Sequence, residues 1–173
     1  IVNSTTITCI TPARSAGAAG IIVTTGGGPG TTFSSFTYVT PPNITSISQL
    51  TGSTEGGTNV TITGTNFTGA TSVTFDGLAA TSLNVVNSTT ITCSTPAHNA
   101  GAVGIIVTTA GGPSGELSSF TYITPPNITD ISSLSGSTTG GTSVTITGTN
   151  FTGATSVTFG GLSATTINVL NST

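Results

Sequence analysis

The chain is built from near-identical copies of one segment. The octapeptide VNSTTITC ends at Cys9 and again at Cys93, which sets the period at 84 residues. When residues 1–89 are aligned with residues 85–173, only 21 of the 89 positions differ. Self-similarity at a fixed period is typical of an array in which one structural unit recurs along the chain. A unit of this size has a modest hydrophobic core, because small domains bury a small share of their surface.

Charged side chains make up only 3% of the 173 residues, and lysine is absent. The charged residues are Arg14, Glu55, Asp76, Glu116 and Asp130. Binding a nucleic acid or an anionic membrane surface requires several cations, so a single arginine excludes both as partners. No apolar run approaches the roughly 20 residues that a membrane-spanning helix needs. We therefore expect no membrane contact within this segment.

Serine and threonine together supply 64 of the 173 residues, so hydroxyl groups keep the surface polar in place of charges. A surface without net charge tends to associate with its neighbours unless glycans cover it. Both association and glycan coverage favour an extracellular or cell-surface protein over a cytosolic enzyme.

Short alternating runs separated by Gly, Asn and Pro predict an all-β fold, because no window shows a period of 3.6 residues. The predicted strands of one unit are 44–48, 59–64, 72–75, 82–86, 89–93, 103–108 and 118–123. Seven short strands favour a β-sandwich. The predicted inward residues are Val60, Ile62, Val73, Phe75, Ile105, Val107, Phe120 and Tyr122.

Five motifs in order carry a family resemblance: PxITxI from Pro42, GxxxGGTxVTIxGxxF from Gly52, VxF from Val73, TITCxTPA from Thr90 and FTY from Phe120. Together they resemble an IPT/TIG domain over the whole unit. The resemblance implies immunoglobulin-like β-sandwich repeats. Such domains occur in tandem in surface receptors and bacterial surface proteins, in some transcription factors and as accessory modules of polysaccharide enzymes.

The resemblance divides the chain into three parts. Residues 1–41 are expected to be the C-terminal half of one IPT/TIG unit, residues 42–125 a complete unit and residues 126–173 the N-terminal half of the next. Either the chain is a window on a longer tandem array, or the front half of one chain completes the back half of another. Because residues 1–5 and residues 169–173 cover the same five positions of the repeat, the window is favoured.

Paired prolines stand at both unit boundaries, at Pro41 with Pro42 and at Pro125 with Pro126. Consecutive prolines hold the backbone extended and leave it little freedom. A short, semi-rigid spacer is therefore expected between consecutive units.

Each unit contains one cysteine, so no disulfide can form within a unit. Alternation places Cys93 on the same strand face as Ile91, which predicts buried free thiols at Cys93 and at its equivalent, Cys9. A disulfide between units or between chains is the alternative in an extracellular compartment. Some IPT/TIG members pair this cysteine with another one near position 80, where Ala79 and Ala80 stand here.

Eight of the eleven asparagines lie in Asn-x-Ser/Thr sequences, the acceptor for N-glycosylation. They are Asn3, Asn43, Asn59, Asn66, Asn87, Asn127, Asn150 and Asn171. Covalent glycans are therefore expected, and no other cofactor. The alternative is that Asn and Thr occur here because turns and strands favour them.

Outward-facing threonines form a second pattern on the predicted strands. They are Thr61, Thr63, Thr65, Thr90 and Thr92. Such a ladder reflects β propensity in the first place. It could also carry O-linked sugar, order water as an ice-binding surface does, or pair with another sheet.

Catalysis finds no support in the titratable residues. His98 aligns with Arg14 and Asp76 with Gly160, so neither belongs to a constellation that the repeats share. No carboxylate pair and no metal-ligand spacing stands near His98 in the sequence. The sequence therefore predicts a protein that is not an enzyme and binds no metal.

Three functional hypotheses follow. The first is a structural repeat segment of an extracellular, glycosylated fibre, stalk or surface filament, whose partners are neighbouring copies of the same repeat or chain. The second is the shaft or ligand-contacting part of an adhesin or cell-adhesion receptor. The third, an accessory module of a polysaccharide-active enzyme, requires exposed aromatic platforms and is the weakest, because the chain has two tyrosines and no tryptophan.

Overall fold

A computed structural model describes residues 5–171, and none of these residues forms a helix. None of them, accordingly, forms a helix that could span a membrane. The strands before the complete unit are β1 (Gly17–Ile21), β2 (Thr24–Thr25), β3 (Gly28–Pro29) and β4 (Phe33–Tyr38). Those of residues 42–125 are β5 (Asn43–Ile47), β6 (Thr51–Ser53), β7 (Asn59–Thr65), β8 (Ser72–Phe75), β9 (Leu78–Ala79), β10 (Thr81–Asn87), β11 (Thr90–Ser94), β12 (Gly101–Thr109), β13 (Gly112–Pro113) and β14 (Leu117–Ile123). The last four are β15 (Asn127–Ile131), β16 (Ile146–Thr149), β17 (Thr158–Phe159) and β18 (Leu162–Ser163).

Residues 42–125 form a complete two-sheet sandwich. One sheet has the order β10-β11-β7-β5, and the other has the order β6-β14-β12-β8-β9, with β13 paired to β12. All pairings are antiparallel except that of β6 with β14. Each of the seven predicted strands is present, and the structure adds the short β6, β9 and β13. These three were missed because two or three residues are too few to show alternation.

The core lies between the two sheets, where inward side chains of both meet in one cluster. All eight residues predicted to face inward are buried there. The cluster also takes in Ile44, Ile47, Phe67, Ile91, Cys93 and Val103. The all-β, immunoglobulin-like sandwich that the alternation and the resemblance predict is therefore confirmed.

The two halves of this sandwich interleave. Strands β11, β12 and β14 belong to the second half of the unit, yet each pairs with a strand of the first half. In the first sheet β11 lies between β10 and β7, and in the second sheet β12 pairs with β8 and β14 with β6. Neither half can form its share of both sheets without the other.

The segments on either side lack such partners, and their strands are correspondingly reduced. We call residues 5–41 the back segment and residues 126–171 the front segment. In the back segment, residues 6–10, which match β11, form no strand. In the front segment, β16 and β17 have four and two residues, against seven and four in the matching β7 and β8. Strand length therefore depends on cross-strand pairing, as sheet stability does in general.

The prediction of a buried thiol is wrong for Cys9. Cys93 is buried and Cys9 is exposed, although the seven residues before them are the same. Cys93 lies on β11 opposite Val60 of β7. The back segment contains no counterpart of β7 or β10, so nothing within it covers Cys9.

Candidate functional site

The junction between units is held by a hydrogen bond from each unit to the proline that precedes it. The side-chain Nδ2 of Asn66 donates to the carbonyl oxygen of Pro41 at 3.1 Å. In the front segment, Nδ2 of Asn150 donates to the carbonyl oxygen of Pro125 at 3.2 Å. The same contact thus recurs at both double prolines, one repeat apart.

The backbone around Asn66 is shaped for this contact. Asn66 and Asn150 adopt left-handed φ angles of 59° and 61°, a region that asparagine tolerates better than most residues. Two residues earlier, Gly64 leaves no room for a side chain, because an added Cβ would overlap the carbonyl oxygen of Asn43 and lie 2.5 Å from the ring of Phe67. Gly148 has the same surroundings in the front segment. The repeated motif GTNF therefore positions the side-chain amide that donates to the carbonyl oxygen of the preceding proline.

The first junction has a second contact. Gly111, in the turn before β13, lies so close to the end of the back segment that a Cβ on it would come within 2.6 Å of the carbonyl oxygen of Thr40. Pro42 is buried as the chain enters the sandwich. The predicted spacer is thus held from two sides, by Asn66 and by the turn at Gly111.

At the second junction, a shallow open depression of about 280 Å³ lies between the complete unit and the front segment. Its lining residues are Thr51–Ser53, residues 123–126, Asn150 and residues 152–154. Except for Asn150 these are backbone, hydroxyl and apolar groups without charge. The depression offers no acid, base or metal ligand for chemistry.

The candidate glycosylation sites all lie at the surface where the structure describes them. Asn43, Asn59, Asn66, Asn87, Asn127, Asn150 and Asn171 are exposed, and Asn3 lies outside the described residues. Whether any of them carries a sugar stays a prediction. Exposure is necessary for a glycan and does not by itself establish one.

Side-chain hydrogen bonds distinguish two pairs among these asparagines. Oδ1 of Asn59 accepts from the hydroxyl of Ser94 at 2.8 Å, and Oδ1 of Asn87 accepts from the backbone N–H of Thr89 at 2.8 Å. These bonds leave Nδ2, the atom to which an N-glycan is attached, outside the contact. In Asn66 and Asn150, by contrast, Nδ2 itself makes the junction bond. Asn66 and Asn150 therefore have a structural role that the sequence pattern alone does not reveal.

The outward threonines form direct cross-strand pairs, Thr61 opposite Thr92 and Thr63 opposite Thr90. Thr63 and Thr65 are exposed, while Thr61, Thr90 and Thr92 are half-buried. An open depression of about 300 Å³ on the same face is lined by residues 59–61, 92–94 and Ser82. Whether this ladder has a ligand stays untested.

Two titratable groups lie inside the sandwich. Burial raises the pKa of the Cys93 thiol to about 11, so the thiol stays protonated and unreactive near neutral pH. Burial also raises the pKa of Tyr122, against the opposing effect of a hydrogen bond with Thr95. The hydroxyl of Tyr122 donates to the carbonyl oxygen of Pro96 at 2.9 Å.

The structure brings together two residues that the sequence analysis left isolated. Nε2 of His98 lies 3.5 Å from Oδ2 of Asp76, and the imidazole stacks on the ring of Tyr122 at 5.0 Å. The two residues are 22 positions apart, Asp76 in the turn after β8 and His98 in the loop after β11. The described residues contain no group of three side chains able to hold a metal ion. The pair is a surface contact that packs the loop after β11 onto Tyr122.

The fold and the repeated junction define a protein of immunoglobulin-like β-sandwich repeats. The sequence model of the IPT/TIG domain matches residues 42–122 and 126–173, well over half of the chain. The chain therefore belongs to the IPT/TIG domain family, as the motifs from Pro42 to Phe120 predict. Comparison with curated proteins gives no match.

Several solved structures are similar to this chain. One is SGBP-B from a complex xyloglucan utilization locus in Bacteroides uniformis, with 25% identity and a TM-score of 0.44 over 65% of this chain and 31% of that chain. Another is the plexin A4 extracellular region, domains 1 to 8, with 32% identity and a TM-score of 0.44 over 64% of this chain and 12% of that chain. A second plexin A4 structure, of domains 1 to 10, has 23% identity and a TM-score of 0.47 over 82% of this chain and 12% of that chain. The chain thus spans less than a third of the length of each.

Proposed function

We propose that this chain is a structural repeat segment of an extracellular, glycosylated fibre, stalk or surface filament. The observation that carries the proposal is the repeated junction, in which Asn66 and Asn150 bind Pro41 and Pro125 in the same way. When each junction repeats one geometry, successive units are related by a constant rotation and rise, and the product is a regular filament.

The surface supports an extracellular setting. The formal net charge is only −3 over 173 residues, and the polar exterior consists of hydroxyls and amides. Exposed Asn59 and Asn87, with Nδ2 outside their hydrogen bonds, are the best-placed glycan acceptors. Glycans at these positions would keep an uncharged fibre soluble and limit its lateral association.

A role without catalysis fits the same observations. Among the titratable groups of residues 42–125, Cys93 and Tyr122 are buried, and the polar side-chain contacts of the others are those of His98 with Asp76 and of Glu116 with Ser118. The complete unit also offers no exposed aromatic ring for stacking on a sugar, because Phe67, Phe75, Phe120 and Tyr122 are all buried. This disfavours the accessory module of a polysaccharide enzyme.

Electron microscopy of native material tests the proposal. We expect regular fibres whose axial repeat corresponds to one sandwich, with branched density beside Asn59 and Asn87. Dispersed single molecules would contradict the fibre, and fibres that end in a distinct tip domain would favour the shaft of an adhesin instead.

Intact-mass measurement tests the glycan separately. A mass above that of the bare polypeptide, with sugar mapped by glycopeptide analysis to Asn59 or Asn87, supports it. A mass equal to that of the bare polypeptide would contradict glycosylation and would not affect the proposal of a fibre.

A further inference from the structure

We propose that the depression beside Asn59 binds the first sugar of an N-linked glycan that Asn59 itself carries. The depression is the open one of about 300 Å³ on the outer face of the sheet β10-β11-β7-β5, and we call it the Asn59 depression. The inference deepens the proposed function and rests on its glycosylation. It selects one acceptor among the candidate asparagines and gives the attached sugar a place on the protein.

Two rows of outward side chains on neighbouring strands form the floor of the Asn59 depression. In one row Asn59 of β7 lies opposite Ser94 of β11, and in the next outward row Thr61 lies opposite Thr92. All four residues line the depression. They carry hydroxyl and amide groups without charge, which can donate to and accept from the hydroxyls of a neutral sugar.

A bulge in the edge strand β10 forms a further side of the depression. The register of β10 against β11 shifts between Thr81 and Asn84, so that two residues of β10 stand opposite one residue of β11. One of the two, Ser82, lines the depression and has a left-handed φ of 52°. This φ is uncommon for serine and costs energy, and bulges that redirect a side chain are frequent beside active sites. The strained Ser82 therefore indicates a binding site at this position.

Three hydroxyl groups around the depression are available to a ligand. Within residues 5–171, the side-chain oxygens of Thr61, Thr92 and Ser82 make no hydrogen bond to another group of the protein. Thr61 and Thr92 are nevertheless half-buried. A sugar hydroxyl that pairs with such a group replaces a water molecule and keeps the hydrogen bond.

The side chain of Asn59 is oriented for attachment. Its Oδ1 accepts from the hydroxyl of Ser94 at 2.8 Å, which leaves Nδ2 outside the bond. Attachment joins Nδ2 to the anomeric carbon of the first sugar of a lipid-linked oligosaccharide. The lipid diphosphate leaves, and Nδ2 releases one proton. The glycosylated amide keeps its Oδ1, so the hydrogen bond from Ser94 persists and holds the first sugar at the rim of the depression.

Covalent attachment explains why a shallow depression is sufficient. A volume of about 300 Å³ is at the lower limit of small-molecule sites, and the lining contains no aromatic ring on which a free sugar would stack. A tethered ligand meets its site at an effective concentration of the order of millimolar, so contacts too weak to retain a free molecule still hold it. The geometry therefore favours the glycan of Asn59 over a saccharide from another molecule.

The acceptor and its hydrogen-bond partner occur together in the complete unit. One repeat away, the residue matching Asn59 is Ser143 and the residue matching Ser94 is Ile10. The other four pairs between β7 and β11 are identical at the matching positions. The change at the fifth pair thus creates an acceptor beside a row of hydroxyls that the copies share.

Endoglycosidase digestion of the folded chain tests the inference. The 173-residue chain is secreted from a eukaryotic host that attaches oligomannose glycans. Glycopeptide analysis then measures how fast an endoglycosidase cuts between the first and second sugars at each asparagine. We expect Asn59 to be occupied and cut at least about tenfold more slowly than Asn87, because hydrogen bonds hold its first sugar against the protein. Asn87 lies in an exposed turn, and in denatured material the two rates should be equal.

Two variants remove hydroxyls from the depression without changing the acceptor sequence. Thr92→Val keeps the shape of the side chain, and Ser82→Gly keeps the left-handed backbone. Each should leave the occupancy of Asn59 unchanged and raise the cutting rate there by about 2- to 10-fold, the effect of one lost hydrogen bond. Thr63→Val is the matched control, because Thr63 is an outward threonine of β7 that does not line the depression, and it should not change the rate.

Free sugar added to unglycosylated chain tests the other source. The chain is produced in a bacterial host without N-glycosylation and titrated with the disaccharide of N-acetylglucosamine. We expect no saturable NMR shift at Thr61 or Thr92 below millimolar sugar. A saturable shift at lower concentration would show that the depression binds a saccharide of another molecule, and would overturn the tethered occupant.

The outcomes separate this inference from the proposed function. Equal cutting rates at Asn59 and Asn87 in the folded chain, or a rate at Asn59 that neither Thr92→Val nor Ser82→Gly changes, would overturn the binding of the sugar and leave the glycosylated fibre in place. An unoccupied Asn59 beside an occupied Asn87 would do the same. A chain without sugar at any site would overturn both the inference and the proposed glycosylation. Dispersed native molecules with a protected glycan at Asn59 would contradict the fibre and support the inference.

Discussion

The rings of Phe75 on β8 and Phe120 on β14 meet edge to face, with centroids 5.4 Å apart and an interplanar angle of 73°. Both side chains are fully buried between strands that come from different halves of the unit. The contact therefore joins the two halves of the sandwich as well as filling its centre.

Replacing Phe75 with alanine removes this contact and leaves a large cavity. We expect the Phe75→Ala chain to lose about 3–5 kcal/mol of unfolding free energy, the usual range for a buried aromatic residue. Urea unfolding followed by circular dichroism measures the loss. The matched control is Phe159→Ala, because Phe159 is half exposed and its loss should cost below about 1 kcal/mol. A loss below about 1 kcal/mol for Phe75→Ala would refute the assigned core.

The hydrogen bond from Asn66 to Pro41 should control the freedom of the junction. Asn66→Gly keeps the left-handed backbone and removes the amide, so we expect a lower NMR order parameter of the Thr40 backbone and a stability loss of about 1 kcal/mol. Asn66→Ala adds the cost of a left-handed alanine, for about 2 kcal/mol in total. If the order parameter at Thr40 is the same in both variants and in the unchanged chain, the amide does not hold the junction.

Glycine at position 64 is required by packing. An alanine there would place its Cβ against the carbonyl oxygen of Asn43 and the Phe67 ring, and overpacking of this kind costs about 1–3 kcal/mol. Gly115 is the control, because an added Cβ meets no atom within 4 Å and its φ is not positive. Gly115→Ala should leave the thermal midpoint unchanged, and equal effects of the two substitutions would argue against the close approach.

The buried Cys93 thiol should make stability fall at alkaline pH. Its pKa is raised from 9.0 to about 11 in the folded protein, so between these values the unfolded chain loses a proton that the folded chain retains. Ionisation then favours unfolding, and the stability present below pH 9 is lost progressively toward pH 11, by on the order of 2 kcal/mol. Tyr122, whose pKa is also raised, adds to the loss above its ordinary range. Urea midpoints measured from pH 8 to pH 11 for the unchanged chain and for Cys93→Ala separate the contribution of the thiol. Only the unchanged chain should show the part of the stability loss that comes from ionisation of Cys93. Parallel curves would show that Cys93 ionises in the folded state as easily as in the unfolded one.

Much of the sandwich could be predicted from the sequence because its strands alternate strictly. Val60 with Ile62 and Ile105 with Val107 are inward residues that a period of two identifies without any knowledge of their partners. The exposure of Cys9 could not be predicted in this way. Alternation gives the face of the strand on which a side chain lies, and it does not say whether another strand covers that face. The junction role of Asn66 was missed for a similar reason. Its left-handed φ and its hydrogen bond to Pro41 depend on how the chain enters the sandwich. The local sequence alone indicates only an acceptor site for N-glycosylation.

The contact of His98 with Asp76 was also missed, and it leads to a prediction about the repeats themselves. Asp76 has a positive φ of 48°, and the matching residue, Gly160, has a φ of 57°. Asp76→Gly therefore removes the contact of the carboxylate with His98, which lies at the surface and stabilises a protein by about 0–1 kcal/mol, and at the same time relieves the backbone. We expect the two effects to cancel to within about 0.5 kcal/mol. His98→Ala should cost more, about 1 kcal/mol, because the imidazole is stacked on Tyr122 and its side chain is only 17% exposed. Thermal unfolding of both variants at pH 7 checks the order. If Asp76→Gly proves the more damaging, the contact with the carboxylate and not the ring stack holds the loop to the sandwich.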